Sequence, residues 1–175
     1  ADGRLLPDQL PWEQVREKLA PVMGDPAVPK VAHHVKFDTL VLSEHGLEVQ
    51  GVEFDTMIAA HLVGGRAELP EEVEGPSAYS PTARTRSSVG LKSLAFQHLG
   101  VQMREIGELL GRGKAQRTFD AVPIAEAGPY SCADADMTFR LRGILDPMLE
   151  EKGMRELFRD VEMPLAEVLR EMERA

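Results

Sequence analysis

The chain of 175 residues is 43% hydrophobic and 28% charged, as in an ordinary globular domain with one sizeable core. Its single cysteine, Cys132, excludes an internal disulfide framework and fits a reducing cytoplasm. The sequence has no charged-then-apolar leader and no apolar run near the roughly 18 residues of a membrane span. These features predict a cytoplasmic protein with no membrane partner.

The formal net charge of −9, taken alone, argues against a nucleic-acid partner, but the charge is unevenly distributed. Between Arg84 and Arg117 lie seven basic and two acidic residues. A local basic band in an acidic chain can contact phosphates without broad non-specific affinity. On composition alone, a solvated surface is the more frequent explanation of such a band.

Apolar residues recur at helical spacing along most of the chain. Helices are predicted over 10–23, 37–45, 55–63, 89–99, 105–110, 124–151 and 155–175. Asp146 and Pro147 predict an interruption in the long sixth helix, and Pro164 predicts a start or kink in the last one. Short apolar runs predict strands at 30–33 and, from a less regular alternation, at 47–54. Asp55 is the expected N-cap of the helix that follows it.

Residues 64–88 contain three prolines, several Ser and Thr and an acidic run, which predict a long surface loop. No internal repeat is present, and no composition change marks a domain boundary. The chain is therefore predicted to be a single domain spanning residues 1–175.

Two short segments carry candidate chemistry: Val31–Asp38, which ends in Lys-Phe-Asp, and Tyr130–Asp134. Tyr130 and Asp134 are four residues apart in a predicted helix, so both project from one face. A carboxylate there can hold a divalent cation while the phenol hydroxyl positions an attacking water. Metal-assisted hydrolysis of a phosphodiester requires this combination.

At these segments the sequence resembles the 3′–5′ proofreading exonuclease domain of bacterial family A DNA polymerases. Lys36-Phe37-Asp38 matches the end of the family's second exonuclease motif, and Tyr130–Asp134 matches the third, Tyr-x-x-x-Asp. Three further segments look like family landmarks in the expected order: Gly51–Met57, Gly113–Phe119 and Val161–Leu165. The likeness covers nearly all of 30–175.

The resemblance implies an α/β fold of the ribonuclease-H-like (DEDD exonuclease) type, truncated at its N-terminus and hence helix-rich with few strands. The family's first motif, Asp-x-Glu on an opening strand, has no counterpart before Val31. Asp2 and Asp8 lie in polar sequence without a β-type apolar run. The chain is therefore expected to be a partial exonuclease domain, inactive alone, with 155–175 leading toward a polymerase domain in the same parent chain.

The resemblance also implies roles for the catalytic group. Asp38 and Asp134 would ligate metal in a two-cation Mg²⁺ or Mn²⁺ site, and Tyr130 would orient the attacking water. From spacing alone, the more frequent explanation of Asp38 is a helix-start carboxylate satisfied by backbone donors, and that of Tyr130 is a core-edge aromatic. Asp136, two residues beyond Asp134, points away from the Tyr130 face.

Four other residues would contact the single-stranded 3′ end of DNA on this resemblance: His34, Lys36, Phe37 and Phe119. His34 stands where the family usually has Asn. Phe37 could equally be a core residue, and Phe119 could pack rather than stack on a base.

The function implied is removal of the 3′-terminal deoxynucleotide of DNA as the proofreading activity of a bacterial, nucleoid-associated DNA polymerase. Two alternatives remain open at this point. One is an inactive exonuclease-like scaffold that supports the polymerase. The other is a ribonuclease-D-like exonuclease, which shares Tyr-x-x-x-Asp but is less well matched by the Val161–Leu165 segment.

Overall fold

The computed structural model describes residues 9–64, 89–111, 113 and 116–175. Within these ranges the chain forms eight α-helices, a 3₁₀ turn before the longest of them, a π turn and two strands. In chain order they are α1 (Trp12–Met23), β1 (Lys30–Ala32), α2 (Val35–Glu44), β2 (Val52–Asp55), α3 (Thr56–Leu62), α4 (Leu91–Leu99), α5 (Ile106–Leu110), the 3₁₀ turn Phe119–Ala121, α6 (Ile124–Glu151), α7 (Arg155–Leu157), the π turn Phe158–Glu162 and α8 (Met163–Arg174). The predicted loop 64–88 lies, apart from Gly64, outside the described residues.

The two strands pair in parallel, with Val31 opposite Phe54 and Ala32 opposite Asp55. Helix α2 provides the crossover between them, since parallel neighbours cannot be joined by a tight turn. This α/β arrangement, helix-rich with a two-stranded sheet in the described part, confirms the predicted fold class.

The core lies between β2, α3, α4 and α6. Helix α6 packs against both α3 and α4. Leu141, Leu145 and Leu149, spaced four apart on one face of α6, are completely buried. Phe54 at the end of β2 meets Phe158, with ring centroids 4.9 Å apart. Because α6 lies at the centre of this core, packing of its leucine face also fixes the position of the side chains on its other face.

The prediction that α6 is interrupted near Asp146 and Pro147 is wrong: the helix runs unbroken from Ile124 to Glu151. A proline inside a helix removes one backbone hydrogen bond and crowds the carbonyl four residues earlier. Here that residue is Gly143. The buried leucines on both sides of Pro147 supply packing energy that outweighs this local cost.

The predicted strand 47–54 is also wrong in its first half, because only Val52–Asp55 is extended. Leu47 instead closes the end of α2, where its N–H donates to the Leu42 carbonyl and its side chain is buried. Gly51 then adopts a positive φ of 71°. A Cβ at this position would lie 2.8 Å from the Pro26 carbonyl oxygen, so the backbone approach requires glycine.

The final segment agrees with the prediction that Pro164 marks the start of a helix, since α8 begins at Met163. It consists of the short α7, the π turn Phe158–Glu162 and α8, which packs against α2 and β2. Phe158 in the π turn is buried in the core. The extra residue in such a turn lets the chain rotate, so that Phe158 faces inward while α8 still reaches α2.

Candidate nuclease site

A groove of about 1640 Å³ lies between β1, α2, α4 and α6. Asp38 from α2 and Asp134 from α6 both line it, together with Lys92 from α4. The fold therefore brings together two carboxylates that are 96 positions apart in the sequence. Two further acids line the same groove, Glu105 and Glu108.

Asp38 lies in the first turn of α2, where its backbone N–H donates to the His34 carbonyl. Although the residue remains accessible to solvent, partial burial of the carboxyl group raises the pKa of Asp38 above its ordinary value. The nearby His34 opposes this rise in pKa, and the negative charge of Asp55 adds to it. A carboxylate with a raised pKa has lost hydration and is better stabilised by an added cation.

Asp134 lies on the groove face of α6, one turn after Tyr130. Burial raises the pKa of Asp134, while Lys92 and a hydrogen bond from the Tyr130 side chain act in the opposite direction. Its Oδ1 atom is buried and has no hydrogen-bond partner among the described residues. A buried carboxylate oxygen without a donor is energetically costly unless something else occupies it.

Tyr130 is half-buried and lies on α6 one turn before Asp134. Its hydroxyl accepts a hydrogen bond from the Lys92 ammonium at 3.0 Å, and the same ammonium lies 4.6 Å from its ring centroid. The Phe119 ring is 6.2 Å away, tilted by 60°. Phe119 therefore packs beside Tyr130, and it remains 42% exposed.

The structure separates the other predicted DNA-contacting residues. Phe37 lines the groove and is 56% exposed. Lys36 projects to the opposite side of α2, where its ammonium forms an ion pair with Glu173 of α8. His34 lies on that same side as Lys36 and its ring stacks on Phe37, with centroids 5.8 Å apart. The groove thus contains Phe37 but not the side chains of Lys36 and His34.

Asp55 has a structural role larger than its predicted function as a cap. Its side chain accepts from the backbone N–H groups of Met57 and Ile58, at 2.7 and 3.1 Å, and so caps α3. It also accepts from the N–H of Val35, which ties the start of α2 to the end of β2. This fully buried carboxylate fixes the position of the helix that carries Asp38. The Asp-Thr pair after an apolar strand indicated the cap, but the link to Val35 needed the fold.

Lys92 lines the groove and contacts Tyr130, and motif analysis missed it. In the sequence it was one of seven cations in a basic band, and only the packing of α4 on α6 places it beside Tyr130. Asp136 was correctly assigned to another face: it is exposed and forms an ion pair with Arg140 at 3.6 Å.

The groove residues fit a divalent cation in part. Carboxylate oxygens are the ligands preferred by Mg²⁺ and Mn²⁺, and the unpartnered Oδ1 of Asp134 can accept a metal bond. No group of three or more His, Cys, Asp or Glu suited to a metal ion occurs in the described part of the chain. The two carboxylates could therefore be only part of a ligand set.

In the described ranges, none of the helices is sufficiently long and apolar to cross a membrane. A ribonuclease-H-like layer with two carboxylates lining one groove, and a tyrosine beside one of them, is compatible with a nuclease-type site. Comparison with known proteins agrees, since a family model described as 3′–5′ exonuclease matches residues 2–150. The chain belongs to this 3′–5′ exonuclease family, whose members are generally metal-dependent.

Similar proteins include bacterial DNA polymerases I. That of Chloroflexus aurantiacus is 40% identical over 168 residues, covering 94% of this chain and 16% of the relative. That of Pseudomonas aeruginosa is 33% identical over 172 residues, covering 97% of this chain and 17% of the relative. The chain thus spans about a sixth of the length of these relatives.

A solved structure shares the fold. The structure described as the POL domain of Pol1 from M. smegmatis, in complex with DNA primer-template and dNTP, has a TM-score of 0.62 and 24% identity to this chain. The match covers 95% of this chain and 22% of that one. The family model and the relatives favour an exonuclease of a DNA polymerase over a separate scaffold or a ribonuclease-D-like enzyme.

Proposed function

We propose that this chain is the 3′–5′ exonuclease domain of a bacterial DNA polymerase and removes the 3′-terminal deoxynucleotide of DNA by hydrolysis. The observation that carries the proposal is that Asp38 and Asp134 line one groove, with Tyr130 beside Asp134 and hydrogen-bonded to Lys92 of the groove wall. Family membership supports the class of reaction. This arrangement supports the assignment of these three residues.

In this proposal Asp38 and Asp134 hold the metal, and the Tyr130 hydroxyl orients the attacking water. A bound pair of Mg²⁺ or Mn²⁺ ions would supply Lewis acidity at the scissile phosphate and lower the pKa of a bound water. The remaining ligands would come from water, from the substrate phosphate and from a first-motif Asp/Glu pair in the parent chain. Tyr130 contributes by accepting a hydrogen bond from the water and thereby fixing its line of attack.

The substrate in this proposal is a frayed, single-stranded 3′ end. Phe37 and Phe119 are exposed aromatic rings close to the carboxylates and to Tyr130, respectively. Stacking on such rings is tolerant of base identity, which suits trimming of any mismatched end. His34 and Lys36 act more remotely, because Lys36 pairs with Glu173 in the absence of DNA. A phosphate could attract Lys36 only by displacing that exposed carboxylate.

The partner in this proposal is a polymerase domain of the same parent polypeptide, which 155–175 would approach, in the bacterial cytoplasm at the nucleoid. The relatives support it, since the chain matches one segment within DNA polymerases I. The described helices α7 and α8 leave Leu165, Val168 and Met172 substantially exposed. Such an apolar stripe is available for packing against a neighbouring domain.

The test is Mn²⁺-dependent release of nucleotides from a 5′-labelled single strand by the full-length protein. Laddered trimming from the 3′ end, lost in Asp134→Ala and Asp38→Ala and kept in Asp136→Ala, is expected. This chain alone, assayed in parallel, is expected to be inactive if a first-motif pair elsewhere is needed. Tight single-strand binding without trimming would reject the proposal and favour an inactive scaffold.

A further inference from the structure

Lys92 makes an unusual set of contacts for a surface lysine. It is the second residue of α4, and its side chain reaches across to α6. Its ammonium donates to the Tyr130 hydroxyl at 3.0 Å and also to the backbone carbonyl of Arg104. Two donors of one ammonium are thus engaged, and the cation is held in place above the Tyr130 ring. A lysine held by a carbonyl and a hydroxyl has lost most of its rotamer freedom, a cost that requires compensation.

Because the Tyr130 hydroxyl can make only a few hydrogen bonds, the contact with Lys92 limits the direction in which it can accept another. A phenol hydroxyl has one donor and two acceptor lone pairs, whereas an ammonium can only donate. Lys92 therefore takes one lone pair of the hydroxyl oxygen. The Tyr130 hydroxyl keeps its proton and donates it in the side-chain hydrogen bond to the Asp134 carboxylate that acts to lower the pKa of Asp134. One lone pair of the hydroxyl is then left, and it can accept only from a donor such as water.

We propose that Lys92 is a positioning residue, which through its hydrogen bond to the Tyr130 hydroxyl fixes the direction in which that hydroxyl accepts a hydrogen bond from the attacking water. The proposal rests on the function proposed above, because it assigns Lys92 a role through Tyr130. Without Lys92, the hydroxyl can rotate and bind water along either of two lone pairs. The fraction of productive water geometries then falls, while substrate binding remains unchanged.

Direct binding of a substrate phosphate is the rival role for a lysine in this groove. The two roles differ in kinetics. A phosphate contact made equally in the ground and transition states raises KM, whereas loss of water orientation lowers kcat. They also differ in their dependence on Tyr130, since only the positioning role disappears when the tyrosine hydroxyl is absent.

The experiment is a double-mutant cycle of Lys92→Met and Tyr130→Phe in the full-length protein, with kcat and KM for Mn²⁺-dependent trimming. Met keeps most of the length of Lys and removes its charge, and Lys152→Met at the exposed end of α6 is the matched control. Lys92→Met is expected to lower kcat about tenfold, the size of one charged hydrogen bond, with KM within about twofold. In the Tyr130→Phe background the same change is expected to have no further effect on kcat. Lys92→Arg, which retains a donor, is expected to recover part of the loss.

Additive losses in the cycle, or a change confined to KM, would overturn the positioning role. A second readout needs no activity: the ¹³Cζ signal of Tyr130 in ring-labelled protein, assigned by its absence from the Tyr130→Phe spectrum. Lys92→Met is expected to shift that signal and Lys152→Met to leave it in place. An unshifted signal would overturn the inference even if the wild-type protein does not trim DNA, an outcome that would separately reject the proposed function.

Discussion

At the scale of single residues, Asp134 combines a chemical role with a cost to folding. Burial raises its pKa, so between its ordinary pKa and the raised value the folded state binds more protons than the unfolded state. The ionised carboxylate therefore destabilises the fold above the raised pKa. This cost disappears below the ordinary pKa of about 3.9. A metal ligand is expected to destabilise the fold in this way when no cation is bound.

Asp134→Asn is therefore expected to have opposite effects on activity and stability. Trimming should fall by more than the roughly 100-fold typical of residues that only support a metal ligand. In chelator at pH 7–8, the Tm should rise, and this gain should vanish as the pH falls toward about 4. Thermal unfolding at several pH values, with Asp136→Asn as control, measures it. A lower Tm of Asp134→Asn at neutral pH would show that the carboxylate has stabilising partners.

His33 makes the stability of the fold depend on pH in the opposite direction to Asp134. Its Nδ1 lies 2.8 Å from the Thr56 hydroxyl oxygen, and that hydroxyl donates to the Ala32 carbonyl. The ring nitrogen is therefore the donor. Burial lowers the pKa of His33; Asp55 opposes this effect and His34 reinforces it. Because the unfolded state takes up a proton first, the fold loses stability as the pH falls from the unfolded pKa of about 6.5 toward the lowered value.

His33→Gln is expected to remove this part of the acid sensitivity. Gln can still donate to the Thr56 hydroxyl but does not titrate, so the difference in unfolding free energy between pH 8 and pH 5 should be smaller than in wild type. Urea unfolding at the two pH values, with the exposed His45→Gln as control, measures it. Equal pH dependence in wild type and His33→Gln would show that His33 titrates alike in both states.

At the scale of elements, the sequence predicted most helices and β1 because their signals are local. Apolar spacing, a Gly stop after α4 and the Asp55 cap depend on neighbouring residues alone. The two errors arose where distant contacts decide. Gly51 delays the start of β2 to Val52 because the backbone of residues 26–28 lies against it, and the leucine stripe carries α6 through Pro147. Neither cause is visible in a local window.

Replacement of Pro147 is therefore expected to stabilise the protein. Pro147→Ala restores an N–H that can donate to the Gly143 carbonyl, and interior proline costs a helix about 3 kcal/mol. The more flexible unfolded chain offsets up to about 1 kcal/mol of this gain. A net increase of about 1–2 kcal/mol in the free energy of unfolding is expected, measured with urea. Pro164→Ala, in the first turn of α8, is the control and should give little or no gain. No gain from Pro147→Ala would mean that α6 has already relaxed around the ring.

The candidate site could be predicted from sequence only where a motif carries it. The Lys-Phe-Asp and Tyr-x-x-x-Asp segments indicated Asp38, Tyr130 and Asp134, and the fold brings Asp38 and Asp134 to one groove with Tyr130 beside Asp134. Lys36 shares its motif with Asp38, yet the pitch of α2 turns its ammonium toward α8. Lys92 has no motif, since its position depends on how α4 packs against α6.

At the scale of the whole molecule, the electrostatics of the groove oppose the proposed substrate until a cation binds. The chain has a formal charge of −9, and four carboxylates, Asp38, Glu105, Glu108 and Asp134, line the groove beside the cations Lys30, Lys92 and Arg142. One of these cations, Arg142, is already paired with Glu53 at 3.5 Å. Two divalent cations would reverse the sign of the groove, since they add four positive charges.

Binding of a single-stranded oligonucleotide is therefore expected to be weak in chelator and to strengthen at least about tenfold with Ca²⁺, which permits binding while slowing hydrolysis. The doubly neutralised Asp38→Asn/Asp134→Asn protein should reverse this order: tighter than wild type in chelator, and nearly insensitive to Ca²⁺. Asp136→Asn/Asp160→Asn, which removes the same two negative charges from exposed ion pairs outside the groove, should behave as wild type. Fluorescence anisotropy of a labelled strand at fixed ionic strength measures the affinity of each protein in chelator and in Ca²⁺. If the double variant still responds to Ca²⁺ as wild type does, the cation acts elsewhere and these carboxylates are not its ligands.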